Sequence, residues 1–157
     1  MNEFLIGCTH FGHEKIITLA ERPFSNSREM DEHMIAEWNK TVGLRDTVYH
    51  LGDFAWGNNA KYMSRLNGRI ITLQGNHDPK GWGEHYMIFK RDGMKVILCH
   101  YPIEEWDGWY RGAVHFHCHT HKKEFQSAKR RGNVGVDAIG FAPIELSDAI
   151  ARLKMST

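Results

Sequence analysis

Short apolar runs recur along the chain, and each stops at a cluster of His, Asp, Asn or Cys. Phe4-Leu5-Ile6 runs into Cys8-Thr9-His10, Thr47-Val48-Tyr49 leads to Gly52-Asp53, and Ile70-Ile71-Thr72-Leu73 ends at Gly75-Asn76-His77-Asp78. Val96-Ile97-Leu98 delivers His100, and Val114-His115-Phe116 delivers His117-Cys118-His119-Thr120-His121. Runs this short, β-branched and bounded by Gly or polar residues, predict buried strands. Between them the period lengthens. Ile16, Ile17, Leu19 and Ala20 predict a short helix within His13–Glu21 that Pro23 stops. A second helix is expected to start near Asn26 or Ser27, with Glu29, Asp31 and Glu32 early and Met30, Met34, Ile35 and Trp38 on one face. A third is expected from about Asn59 to Leu66. Later, Val134 and Val136 alternate as in a strand, Pro143 to Glu145 do so less clearly, and Ser147 is placed to cap a terminal helix carrying Ile150 and Leu153. Strands that first alternate with helices and then follow one another directly predict an α/β sandwich rather than an all-parallel sheet.

The polar blocks change the picture from fold to chemistry. Ligands in such folds gather where strands give way to loops, because the strands fix loops that face solvent and substrate. His, Asp and Asn donors converging there suit Mn, Fe or Zn, so an active site built around two metals is expected. Composition then sets bounds. A chain of 157 residues is read as one domain, 1–157, large enough to bury a core without disulfides. A net charge of +1 and an ordinary apolar share argue against disorder and against a protein that coats nucleic acid. Eleven histidines are the outlier. Three cysteines, no leader-like N-terminal succession and no bilayer-length apolar stretch favour a cytoplasmic location without membrane contact.

In order and content these five blocks resemble the calcineurin-like metallophosphoesterase superfamily in its small single-domain, phosphodiesterase form. That family carries Asp-x-His, Gly-Asp, Gly-Asn-His-Asp or -Glu, an isolated His, and Gly-His-x-His, each after a strand. Here the likeness runs from residue 4 to about 121, and Asn133-Val134-Gly135-Val136-Asp137 looks like the family's closing strand. The resemblance implies a four-layer α-β-β-α sandwich and two divalent ions drawn from Mn, Fe, Zn or Ni, with Mn favoured. It implies that His10 and His121 hold the first metal, that Asp53 bridges, and that Asn76, His100 and His119 complete the second site. A bridging hydroxide then attacks phosphorus, His77 acts as leaving-group acid, and Asp78 orients its ring.

Two positions depart from the pattern. Cys8 stands where the family has a ligating Asp; as a thiolate it would favour Zn or Fe, and as a neutral thiol it would leave the first site short. It is read as a thiolate ligand, a degenerate position or a deliberate substitution. Cys118 replaces a Gly whose backbone freedom or close approach a β-carbon would disturb, and Cys8 with Cys118 forms a minor redox hypothesis. His13 and His117 are placed beside the site, while His33, His50, His85 and His115 are read as structural. Between His100 and the last block, Trp109 and Arg111 are expected to bind substrate, with Trp56 as an additional ring, and His13 is counted with them. The expected substrate is a small phosphoester, nucleotide-like in one version, with nucleic acid not favoured. The competing readings are a phosphomonoesterase of the same fold and a catalytically weakened metal-binding scaffold that serves as an interaction module.

Overall fold

All five apolar runs form strands, and the way they pair explains why their ends meet. The computed structural model describes residues 1–155. Strands β1 (Glu3–Ile6), β2 (Thr47–His50) and β3 (Arg69–Thr72) run parallel, with Leu5 opposite Tyr49 and Tyr49 opposite Ile71. A two-residue strand, β9 (Ile144–Glu145), adds antiparallel to β1 and completes a sheet of order β3-β2-β1-β9. The second sheet has order β4-β5-β6-β8-β7, built from Tyr86–Arg91, Met94–Cys99, Val114–His117, Arg131–Asn133 and Gln126–Ala128 respectively. In it β5, β6 and β8 are parallel, while β4 and β7 run antiparallel at the edges.

Alternation sorts the side chains into layers. From β1, Leu5 points inward to meet Tyr49, Leu51, Leu73, Val96, Leu98, Val114 and Phe116 between the two sheets. Phe4 and Ile6 point the other way, against Met30, Met34, Ile35 and Trp38 of α2 (Ser27–Thr41). The Asn26 side chain caps α2 by accepting the Glu29 N–H at 2.9 Å. Helices α1 (Glu14–Leu19) and α3 (Asn59–Met63) lie on the same side, through Ile16 and Tyr62. On the far face, the connection from β5 to β6 packs Ile103, Trp106, Trp109 and Ala113 over Ile97 and holds a single 3-10 turn, Trp109–Arg111. The result is the expected α-β-β-α sandwich, with a thin fourth layer.

Three local expectations need correction. Val134 lies just beyond β8, and Val136 opens a one-turn helix, α4 (Val136–Ile139), because the chain turns at Gly135 after a bridge to Gly7. The third helix ends at Met63, since the N–H groups of Arg65 and Leu66 bond three residues back and tighten the last turn. Ser147 is not a cap: α5 (Leu146–Met155) follows β9 with no residue between. Among the described residues no helix is long and apolar enough to cross a membrane.

Candidate metal centre

Beyond β1, β2 and β6 the backbone is bent sharply at the candidate site residues. Cys8, His10, Asp53, His119 and His121 all have φ between 51° and 68°, a region that costs a non-glycine residue energy and clusters at functional sites. Hydrogen bonds hold these bends: Cys8 N–H to Gly52 O at 2.9 Å, His10 N–H to Asp53 O at 3.0 Å, and Phe11 N–H to Phe54 O at 2.9 Å. Gly52, at φ 102°, sits so close to the next loop that a β-carbon there would lie 2.6 Å from Gly75 N and 2.8 Å from His100 Nδ1.

Asp78 ties the loops after β2 and β3 together. Its carboxylate accepts the N–H groups of Asp53 at 2.7 Å, Phe54 at 2.9 Å and Gly75 at 2.8 Å. This corrects the role expected for Asp78: its oxygens serve the backbone, not the His77 ring. His77 is instead fixed through its backbone, whose N–H donates to Asp53 Oδ1 at 2.9 Å.

The other oxygen of Asp53 is the hub. Its Oδ2 lies 3.5 Å from Nε2 of His10 and 3.5 Å from Nε2 of His100. On one side, Cys8, His10 and His121 offer ligand atoms within 4.8 Å of one another; on the other, Asp53, His100 and His119 do the same. Asn76 Oδ1 joins the second group, 2.9 Å from His100 Nε2. His100 is aimed by Leu51 O, 2.8 Å from its Nδ1. His10 Nε2 is buried with no hydrogen-bond partner and only the 3.5 Å approach to Asp53, so in the neutral ring it is free to face a cation. Mixed N, O and S donors around a buried orphan nitrogen fit divalent cations.

Charge is balanced within the cluster. Burial would raise the Asp53 carboxyl, but His10, the His77 N–H and His100 together hold it well below the usual carboxylate range. Burial would also lower His10, yet Asp53 and Cys8 outweigh it and raise the imidazole to about 9. Cys8 is fully buried, which by itself disfavours a thiolate; the Cys118 thiol, His10 and the charge of His100 outweigh burial and pull it well below the normal thiol range. Cys118 moves the opposite way, pushed well up by burial and by Cys8. Cys118 is not among the residues with positive φ, so its backbone does not demand glycine. Its side chain fits because Gly7 has none; a β-carbon on Gly7 would lie 2.6 Å from its Sγ.

Two residues that the sequence did not single out hold the first group in place. Asp137 Oδ2 lies 2.9 Å from His121 Nδ1, which leaves Nε2 as the outward nitrogen. Arg22 clamps that same carboxylate, Nε to Oδ1 at 2.9 Å and Nη2 to Oδ2 at 3.1 Å, and donates to the carbonyls of Cys8 at 2.7 Å and Thr9 at 2.9 Å. A carboxylate behind a ligating histidine fixes its orientation and basicity. No periodicity or spacing marks this pair, which is 115 residues apart.

Around the cluster a cleft of about 530 Å³ is lined by His10, His13, Asp53, Asn76, His77, His119 and His121, with Ile16, Leu19, Ala20 and Trp56 on one wall. His13 therefore belongs to the cleft, and so does Trp56. Trp109 and Arg111 do not: they line a separate hollow with Lys95 and Trp106. The parallel pairing of β5 and β6 forces their connection across the outer face of the sheet, and Trp109 is used there under the Arg130 guanidinium, 5.3 Å from its ring. His117 faces away too, with Nδ1 2.8 Å from Cys118 O and Nε2 2.7 Å from Ser127 Oγ. His50 is buried behind the site against Thr9 Oγ1 at 2.9 Å, and His115 is held by Ile97 O and the Ile103 N–H.

No protein-family model matches the chain. It is 37% identical over 160 residues to an uncharacterised protein of Methanocaldococcus jannaschii, covering 96% of this chain and 89% of that protein. A solved structure of a protein of unknown function from Aquifex aeolicus is similar with a TM-score of 0.80 at 26% identity, covering 97% of this chain and 98% of that one. A predicted phosphoesterase from Streptococcus pneumoniae TIGR4 shares the fold alone, with a TM-score of 0.50 at 14% identity over 85% of this chain and 70% of that one.

Proposed function

We propose that the chain, which shares its fold with a predicted phosphoesterase and carries the five motif blocks that resemble the calcineurin-like metallophosphoesterases, is a metal-dependent phosphoesterase acting on phosphodiesters. The observation that carries this reading is Asp53 Oδ2, equidistant at 3.5 Å from His10 Nε2 and His100 Nε2, where the Cys8, His10 and His121 group adjoins the group that Asp53 forms with His100 and His119. Cys8, His10, Asp53 and His121 would hold one ion, and Asp53, Asn76, His100 and His119 the other. Bound there, a pair of divalent cations such as Mn supplies positive charge that clamps a phosphate and acidifies water.

The chain's own residues do the rest. Asp53, held ionised, places one negative charge between the two ligand groups and fixes the His77 backbone. The His77 ring stands 5.8 Å from the His10 ring, at the mouth of the cleft, where a ring nitrogen can give a proton to the departing ester oxygen. Among the described residues lining this cleft there is no Lys or Arg to neutralise the second charge of a phosphomonoester, so a singly charged diester suits it better. Asn76 also lines a second hollow with Lys80, His85 and Tyr101, which leaves room on both sides of Asn76, one for each arm of a diester.

The test compares bis(p-nitrophenyl) phosphate with p-nitrophenyl phosphate in the presence of Mn. The diester is expected to give the higher kcat/KM by about tenfold or more, a barrier difference of ~1.4 kcal/mol. A reversed preference would make the protein a phosphomonoesterase, and turnover of neither would favour a metal-binding scaffold.

A further inference from the structure

One wall of the metal cleft is built from rings and hydrocarbon that the phosphate chemistry does not use. Trp56 is the single tryptophan among the exposed large apolar side chains, 56% exposed, and it lines the cleft. One face of its indole is covered by the His13 imidazole, with ring centroids 4.5 Å apart and planes within 9°. The backbone beneath the pair is tied down. The Trp56 backbone N–H donates to Phe11 O at 2.7 Å, and the Gly12 backbone N–H donates to buried Asp31 at 2.9 Å, so the loops after β1 and β2 carry the two rings together. Ile16, Ala20 and the 75% exposed Leu19 extend the wall from α1. The His77 ring lies 6.1 Å from the indole, on the same side of the ligand cluster.

We propose that Trp56, backed by His13, is a stacking platform for a flat heteroaromatic ring carried by one arm of the substrate, so that the ester is a nucleoside phosphate or a close analogue. The proposal rests on the phosphoesterase reading of the metal centre. A half-exposed indole already stacked on one side presents a preorganised plane, and every nucleobase has a π-face to lay on it. A volume of about 530 Å³ suits a ligand of that size. The lack of Lys and Arg in the lining, among the described residues, points to a nucleoside held through a single phosphodiester and not a polyphosphate chain, with the nucleoside monophosphate as the product that its cleavage leaves.

The experiment measures binding, not turnover. Adenosine 5′-monophosphate and ribose 5-phosphate are titrated calorimetrically into Mn-loaded natural protein, Trp56→Ala and Trp56→Phe. The nucleotide is expected to bind about tenfold or more tightly than the sugar phosphate, within the range of base–aromatic stacking. Trp56→Ala should erase that advantage while leaving ribose 5-phosphate affinity and thermal stability unchanged, and Trp56→Phe should keep most of it. Equal affinities in the natural protein, or equal weakening of both ligands in Trp56→Ala, would overturn the platform. Turnover of bis(p-nitrophenyl) phosphate by the same preparation separates the two claims. Base-dependent binding without turnover supports the platform and removes the phosphoesterase reading; turnover without base dependence removes the platform alone.

Discussion

The backbone N–H of His119 donates to the Sγ of Cys8 at 3.1 Å, so the sulfur joins the first strand-end loop to the last. An N–H aimed at sulfur favours the thiolate, and His10 and His121 have their own ligand atoms within 4.8 Å of it. Cys8 is therefore placed where a thiolate donor would serve the first ligand group. In protein loaded with Co(II), a thiolate-to-metal charge-transfer band is expected in the near ultraviolet and should vanish in Cys8→Ser. A natural chain that binds cobalt with no such band would remove Cys8 from the ligand set.

Asp137 acts through His121, and Arg22 acts through Asp137. Asp137→Asn should loosen metal binding at the first group by about 10- to 100-fold, the usual cost of losing a partner behind a ligating histidine. Competition titrations with a chromophoric chelator read this directly. Unchanged affinity would mean that the 2.9 Å contact to His121 Nδ1 is incidental.

His77 and Asp78 are adjacent but should fail differently. His77→Ala is expected to slow diesters with poor leaving groups by about 10²- to 10⁴-fold while sparing activated aryl esters, as loss of a general acid does. Asp78→Asn should act first on stability, because its carboxylate accepts three backbone N–H groups. Charge-assisted bonds of this kind suggest a loss of ~3 kcal/mol, seen in urea unfolding of metal-free protein. The reverse pattern would restore Asp78 as the partner of the His77 ring.

Three buried histidines should cost the metal-free protein stability in mild acid. Burial pushes His50 down to about 3 and His115 and His117 to about 4, so all three stay neutral in the fold where the unfolded chain protonates near 6.5. The unfolded state then binds more protons between pH 6.5 and 4, and stability must fall as pH falls through that window. The slope approaches ~1.4 kcal/mol per pH unit for each group. Above pH 6.5, Cys8 and His10 pull in opposite directions, since a depressed thiol gains stability with rising pH and a raised imidazole loses it. Flat stability from pH 6.5 to 4 would show that these rings are not buried as neutral groups.

Much of the candidate site was legible because each proposed ligand lies within a few residues of a strand's end, and a strand announces itself through a short apolar run. The residues that aim those ligands carry no such mark. Arg22 lies between two helices and Asp137 in a one-turn helix, and only the folded chain brings them to His121. Sequence proximity misplaced Trp109 and Arg111, because the segment between two ligand blocks is a crossover that must travel over the outside of its sheet. The β4–β5 hairpin was missed although Asp92-Gly93, with φ of 50° and 78°, is a turn pair that favours such a link. Edge strand β4 alternates exposed and half-buried residues, so it lacks the apolar run by which the central strands were found.

The claim at the centre is that Asp53 joins two cation sites into one hydrolytic unit, and its most direct test is an activity titration. Hydrolysis of bis(p-nitrophenyl) phosphate is followed as Mn is added stepwise to metal-free protein, beside Asp53→Asn. The expected result is a rate that levels off at two ions per chain in the natural protein and stays at background in the variant. A natural chain carrying two ions without hydrolysing the diester, or an Asp53→Asn chain that turns over normally, would contradict the account.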